Sequence, residues 1–321
     1  MFNKSSRSVA IVASSILLAL AAATDSTLDT CLECMNFDMY TPVLPKDRFE
    51  MYTIRGEDLR KMSDERIEEL KMELVPKHGV ILLKNQFNLT KDEIMAITER
   101  FGQPVYLPES LRFNNTYKEY PALARISNVL PDGTLLEQHK GAEYWHSDGD
   151  FWGPRRNYIF NFLYAETVPP VGGGTGLVDL RRAYRRLDNI TQEEIKDLQV
   201  IVKCEDIPDF KGAPKEYLQP DAYHNIRHEH IVTGTVGLYI GTVQAKIYNL
   251  PQKESDRIMA KLVDAITNPD DQLVHQWEAG DMLIWDNTST MHRSMGGYFD
   301  HPRILYRTQA FMDVSAAAAT I

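Results

Sequence analysis

From Asn157 to Arg307 the chain carries a succession of short apolar runs, each cut off by glycine, proline or a polar turn before it reaches helix length. Asn157-Tyr158-Ile159-Phe160-Asn161-Phe162-Leu163-Tyr164 is rich in aromatics and roughly alternating. Leu238-Tyr239-Ile240, Met282-Leu283-Ile284-Trp285 and Ile304-Leu305-Tyr306-Arg307 have the same character, and Val171-Gly172-Gly173-Gly174-Thr175 marks a tight turn. Runs of this kind are strands, and many short strands separated by Gly and Pro turns predict a β-sandwich or jelly-roll. Helical signals flank them. Ser63 precedes Ile67, Leu70 and Leu74 on one helical face, and Pro76 is expected to stop that helix. Thr90 and Glu93 form a capping box ahead of Ile94, Ile97 and Phe101, and Thr191 and Glu194 repeat it. A last amphipathic helix is expected from Gln252 to Ile266, aligning Ile258, Leu262 and Ile266. The fold class is therefore mainly β with flanking α helices.

Composition bounds the function. Of 321 residues, 43% are hydrophobic and 25% charged, which excludes disorder or coiled coil as a description of the whole chain. A net charge of −10, from 35 basic and 45 acidic residues, repels nucleic acid, so no nucleic-acid partner is expected. Lys4 and Arg7 precede an apolar run from Val9 to Ala23, with no acidic residue before Asp25. This reads as a signal peptide over residues 1–23, followed by a leader over 24–50 and a single domain over 51–321. The expected location is the secretory pathway or the extracellular space, with organelle targeting or a signal anchor as alternatives. The apolar run is short for a membrane crossing, so no stable span is expected. Cys31 and Cys34 lie in the leader, outside the strand-to-helix setting of a redox CxxC, and Cys204 is left over. Sequons stand at Asn88, Asn114, Asn189 and Asn287.

The chemistry begins at Trp145-His146-Ser147-Asp148-Gly149. In extended chain, residues two apart point the same way, so His146 and Asp148 can address one point. Downstream, Trp285-Asp286-Asn287 leads to Met291-His292. Two histidines and one carboxylate make the facial triad that holds Fe(II) and leaves positions open. Short HxD patterns also arise by chance. His224, His228 and His230 could instead be assembled into a zinc site, but beside Asp221, Arg227 and Glu229 they read as a polar edge strand. After His292 come Arg303 and Arg307 in an apolar frame, where an arginine needs an anion for company.

The blocks HGVILLKNQFNLTKDEI, ITERFGQPV, YWHSDGDF, LYAETVPPVGGGTGLVDLRRAYRRL, HEHIVTG and GDMLIWDNTSTMHRSMGGYFDHPRILYRTQAF follow one another from His78 to Phe311. In order and spacing they resemble the taurine and chlorophenoxyacetate dioxygenases, the TauD/TfdA family. The resemblance implies a double-stranded β-helix, a jelly-roll core of cupin-like type. It implies that His146, Asp148 and His292 are the catalytic iron ligands and that Thr175 and Arg303 hold the distal carboxylate of 2-oxoglutarate. Arg307 would contact substrate. Fe(II) would be the cofactor, with 2-oxoglutarate and O2 as co-substrates. Decarboxylation to succinate and CO2 would be coupled to hydroxylation, desaturation or oxidative cyclisation of a small anionic molecule. Taurine-using relatives carry Asn where Ala142 stands, and Leu107–Glu119 offers no match to their additional histidine, so taurine is not the expected substrate. The segment Leu107–Gly141 is the expected lid. The alternative reading is a cupin-type metal-binding barrel without oxygenase activity. A homo-oligomer is compatible with either.

Overall fold

The computed structural model describes residues 48–106, 116–136, 142–153, 158–207, 213–298 and 301–312. The expected signal peptide, both leader cysteines, Asn114 and much of the expected lid lie outside these residues. In chain order the strands are β1 (Tyr52–Ile54), β2 (Val80–Leu83), β3 (Gln103–Pro104), β4 (Ala124–Ser127), β5 (Ile159–Thr167), β6 (Thr175–Asp179), β7 (Gln199–Val202), β8 (Ala222–Asn225), β9 (Arg227–Glu229), β10 (Val236–Leu238), β11 (Lys246–Ile247), β12 (Gln272–His275), β13 (Met282–Asp286), β14 (Thr290–Ser294) and β15 (Ile304–Phe311). The largest sheet runs β1-β2-β13-β5-β15-β3, with β4 added against β15. A smaller sheet, β12-β6-β14, faces it, and β11-β7-β8 forms a third.

Strands β2 and β13 are buried along their whole length, and β5 along most of it, which explains why they read as nearly continuous apolar runs. Alternation then sorts their side chains into two layers. Ile81, Leu83, Phe160, Phe162, Tyr164, Ile284 and Tyr306 pack against Ile94, Ile97 and Phe101 of the helix Lys91–Phe101. Val80, Leu82, Leu163, Ala165, Leu283, Trp285 and Leu305 point the other way and meet Leu177 of β6. The architecture is mainly β with flanking helices, of jelly-roll type, and the sheets face each other without closing into one continuous barrel. The helix Gln252–Ile266 covers a further core containing Leu180, Ile195, Val200 and Met291.

Four expectations need correction. Pro76 does not end its helix. A π-helical turn over Leu70–Leu74 loosens the hydrogen-bond ladder before it, and the chain runs on through Val75–His78 to Gly79. Asp188, not Thr191, caps the helix Asn189–Ile195, because its carboxylate accepts from Thr191 N at 2.7 Å. Part of the expected lid is sheet, since β4 pairs with β15. His224 does lie on an edge strand, β8, but its side chain and that of His230 are buried rather than on a polar face: His224 Nε2 lies 2.6 Å from Asp150 O, and His230 Nε2 lies 2.8 Å from Asp286 Oδ2.

Asp286 is the last residue of β13 and is fully buried. Its carboxylate accepts from Thr288 N at 2.9 Å, Thr288 Oγ1 at 2.8 Å and Ser289 Oγ at 2.6 Å, which shapes the turn into β14. Burial alone would raise this carboxyl. The facing His230 and the hydroxyl donors outweigh burial and hold it well below the usual carboxylate range. A carboxyl depressed on folding stabilises fully above its unfolded pKa of about 3.9 and loses that contribution as pH falls. Asp286→Asn is therefore expected to lower stability at neutral pH and to flatten its fall between neutrality and acid, as read by urea unfolding across that range. An unchanged acid limb would remove Asp286 as its source.

Candidate active site

The strand-like segment at His146 pairs with β14 at a single point. His146 N donates to His292 O at 3.1 Å, and His292 N donates to His146 O at 2.9 Å. Directly opposed residues of an antiparallel pair project to the same side, so the two imidazoles leave the backbone together, ring centres 4.3 Å apart. Ser147 N donates to Gly241 O at 2.7 Å on the other side of the segment. The chain then turns, and the Asp148 carboxylate comes to lie 3.8 Å from His146 Nε2 and 3.6 Å from His292 Nε2. Among the described residues these three form the one group of metal-ligating side chains whose donor atoms all lie within 4.8 Å of one another. The buried His224 and His230 and the half-buried His228 make no such group.

The surroundings prepare these donors. His146 Nδ1 is 2.9 Å from Tyr144 O, which leaves Nε2 turned toward Asp148. Burial, with repulsion from His146, pushes His292 down to about 3, so its imidazole is neutral. Burial of Asp148 opposes ionisation, but the positive charge of Arg307, with His292 and His146, takes the carboxyl below its ordinary value. Arg307 NH1 is 3.3 Å from Asp148 Oδ1. Asn287 holds the backbone of the same residue from both sides: its Oδ1 accepts from Asp148 N at 2.8 Å and its Nδ2 donates to Asp148 O at 2.7 Å. Being fully buried, Asn287 is no accessible sequon. With its amide nitrogen facing the carboxylate, Asn161 donates to Asp148 Oδ2 at 3.3 Å and accepts from Trp285 Nε1 at 3.0 Å.

Strand register accounts for this row. Trp285 of β13 and Gln309 of β15 both lie opposite Asn161 of β5, and Arg307 lies opposite Leu163. All four polar or aromatic side chains alternate with the helix-facing layer, so the inward layer turns from aliphatic to polar at one end of the sheet.

A second polar group lies nearby in the fold. Arg303 is 3% exposed, its Nε donates to Gly173 O at 2.9 Å, and its backbone N donates to Asn128 Oδ1 at 2.9 Å. No carboxylate among the described residues pairs with it. Burial lowers it to about 10, partly opposed by Tyr298, which still leaves a cation at neutral pH. A buried charge without a counter-ion is costly and marks a place for an anion. Gly173, at φ 67°, lets this happen, because a Cβ there would stand 3.0 Å from Arg303 Cδ and Nε. Thr175 and Leu177 of β6 lie opposite Ser294 and His292, which puts Thr175 on the face that carries His292. Trp277 Nε1 donates to Thr175 Oγ1 at 3.0 Å, leaving the hydroxyl hydrogen of Thr175 to point elsewhere.

A cavity of about 410 Å³ opens over the triad, with His146, Asp148, Arg307, Tyr144, Phe151 and Trp152 in its wall. Trp145 and Trp285 are core residues instead, 4% and 1% exposed. Sequence reasoning missed Asn161 and Trp277, which carry no local signal. It read Asn287 only as a sequon, although its place directly after Trp285-Asp286 tied it to the ligand block.

The family described as taurine catabolism dioxygenase TauD, TfdA family, matches residues 40–309. The chain belongs to the TauD/TfdA family. Members use Fe(II), 2-oxoglutarate and O2, and this chain is accordingly an Fe(II)/2-oxoglutarate-dependent dioxygenase, an oxidoreductase. It is 28% identical over 235 residues to the alpha-ketoglutarate-dependent 2,4-dichlorophenoxyacetate dioxygenase of Cupriavidus pinatubonensis, covering 68% of this chain and 80% of that one. It is likewise 28% identical over 253 residues to the (S)-phenoxypropionate/alpha-ketoglutarate-dioxygenase of Sphingobium herbicidovorans, covering 72% and 82%. The crystal structure of AAD-2 in complex with Mn(II) and N-oxalylglycine superposes with a TM-score of 0.67 at 26% identity, covering 82% of this chain and 96% of that one. The residues of this TauD/TfdA member fit such a group. Two imidazoles and an ionised carboxylate suit Fe(II), and Arg303, with no carboxylate partner among the described residues, suits a carboxylate.

Because Asn287 orients Asp148 without touching the space between the donors, Asn287→Ala is expected to weaken Mn(II) binding by about 10–100-fold. Calorimetric titration measures this, with circular dichroism to check the fold. Unaltered affinity in a folded variant would show that the clamp does not position the carboxylate.

Proposed function

We propose that this enzyme oxidises an unactivated C–H bond of a small anionic organic molecule, with His146, Asp148 and His292 as Fe(II) ligands. Thr175 and Arg303 hold the far carboxylate of 2-oxoglutarate, and Arg307 is a substrate contact at the inner end of the cavity. The observation that carries this reading is the pairing of an open three-donor group with a buried, anion-seeking guanidinium. When bound, Fe(II) with 2-oxoglutarate and O2 supplies the oxidising power, with release of succinate and CO2.

The chain supplies placement. The Arg303 fork and the Thr175 hydroxyl fix one end of the co-substrate, so its keto-acid end is aimed rather than free to rotate. Arg307 keeps Asp148 ionised. Phe151 and Trp152 keep water from part of the cavity. Placement of the substrate over the triad decides among hydroxylation, desaturation and ring closure. A metal-binding barrel without oxygenase activity would leave the lone charge of Arg303 without purpose, and for that reason we set the alternative aside.

Anaerobic titration of 2-oxoglutarate into the Fe(II)-loaded protein is expected to produce the visible charge-transfer band of a chelated keto acid. His146→Ala and Asp148→Ala should remove both the band and succinate release. Iron binding without any band would overturn the co-substrate assignment. Arg303→Ala is expected to weaken 2-oxoglutarate by about 10–100-fold, the worth of a hydrogen bond to a charged group at roughly 1.5–3 kcal/mol, while Mn(II) affinity stays within a few-fold. Unchanged 2-oxoglutarate affinity would assign the carboxylate to another residue.

A further inference from the structure

The cavity over the triad has an outer end whose chemistry is still unused. There β7 and β11 pair with Ile201 opposite Lys246. Lys203 continues the extended backbone just beyond β7, with φ −108° and ψ 122°. Alternation therefore puts Ile201, Lys203 and Lys246 on one face, and all three line the cavity. Val200, on the opposite face, is buried in the core with Leu238 and Ile258. Lys203 and Lys246 are diagonal neighbours, positions that stand about 7–8 Å apart across a strand pair.

Two like charges on one face of a strand pair are unfavourable, and neither ammonium group makes a hydrogen bond or ion pair with any described residue. Asp206 stands on the same rim, exposed, and pairs with neither. Asp148 and Asp150 also line the cavity, but at this rim two lysines stand against the single carboxylate of Asp206, which leaves it formally positive in a chain of net charge −10, an arrangement that draws in anions. At the inner end the charge of Arg307 is already committed to Asp148 at 3.3 Å. Val105, Phe151, Trp152 and Ile207 make other parts of the wall apolar.

We propose that Lys203 and Lys246 form a subsite for the anionic group of the substrate, a carboxylate or sulfate. The substrate is then an amphipathic anion whose apolar part reaches the triad and whose oxidised carbon lies away from its charge. This rests on the dioxygenase reading above and adds to it where the charge is held.

The test uses octanoate, octyl sulfate and the neutral 1-octanol as probes, titrated calorimetrically into the Mn(II)- and 2-oxoglutarate-loaded enzyme. At least one anion is expected to bind about tenfold or more tightly than 1-octanol, the scale of a charged hydrogen bond, and to lose that advantage as salt is raised. The double variant Lys203→Gln, Lys246→Gln should bind all three probes about equally. Comparing the two anions tells whether the subsite prefers carboxylate or sulfate. The proposal is overturned if neither anion binds wild type more tightly than 1-octanol, or if the preference survives in the double variant. Oxidation of octanoate at the carbon next to its carboxylate would also overturn it, because the charge would then lie at the triad. The charge-transfer band formed with Fe(II) and 2-oxoglutarate alone is expected to be unchanged in the double variant. Its absence from wild type would be a failure of the dioxygenase reading, separate from any failure of the lysine subsite.

Discussion

Two backbone hydrogen bonds between His146 and His292 are the joint on which the site depends. They tie a loop segment to β14 and bring the two imidazoles out side by side on one face without any demand on the side chains themselves. Everything else in the triad refines this joint. The Asp286 turn starts β14 in register, and Asn287, the next residue, reaches across to hold Asp148 by its peptide groups. A single short stretch from Trp285 to His292 therefore positions all three donors, although two of them are more than a hundred residues away in sequence.

Charge is distributed around this joint in a way that a globular core would not choose for stability. Asp148 is half-buried and answered by Arg307. Arg303 is buried and answered by a backbone carbonyl and the Tyr298 ring, with no carboxylate among the described residues. Lysines crowd the outer mouth of the cavity. Arg303 and the two rim lysines share one sign inside a protein whose total charge is negative, while Asp148, Asp150 and Asp206 supply the opposite sign along the cavity wall. The glycines of the turn before β6 make the position of Arg303 possible, since a side chain at Gly173 would push against it.

Much of this was legible from the chain. The continuous apolar character of β2 and β13 follows from burial on both faces, and the capping box at Thr90 and the helix Gln252–Ile266 stand where their residues say. The triad could be read because His146 and Asp148 sit two apart and His292 lies in a strand-like run. Elsewhere a local signal competed with a stronger one. Thr191 has the right neighbours for a cap, but the carboxylate of Asp188 reaches its N–H first. His224 and His230 look polar among charged neighbours, yet packing over Tyr158 and Tyr239 buries them. Arg303 and Arg307 look like one pair, but a register shift between Ile304 and Leu305 follows Arg303, and the two guanidinium groups serve different partners.

Residue order alone determined the layer each strand side chain joins, since a period of two leaves no other choice once one face is buried. It also determined the donor types available to a metal and the arginines available to an anion. Only the tertiary structure decided which donors meet, which arginine lacks a counter-ion, and that Asn161, Asn287 and Trp277 support the site. Those outcomes depend on contacts between strands distant in sequence, and such contacts follow from sheet register and packing rather than from any spacing along the chain.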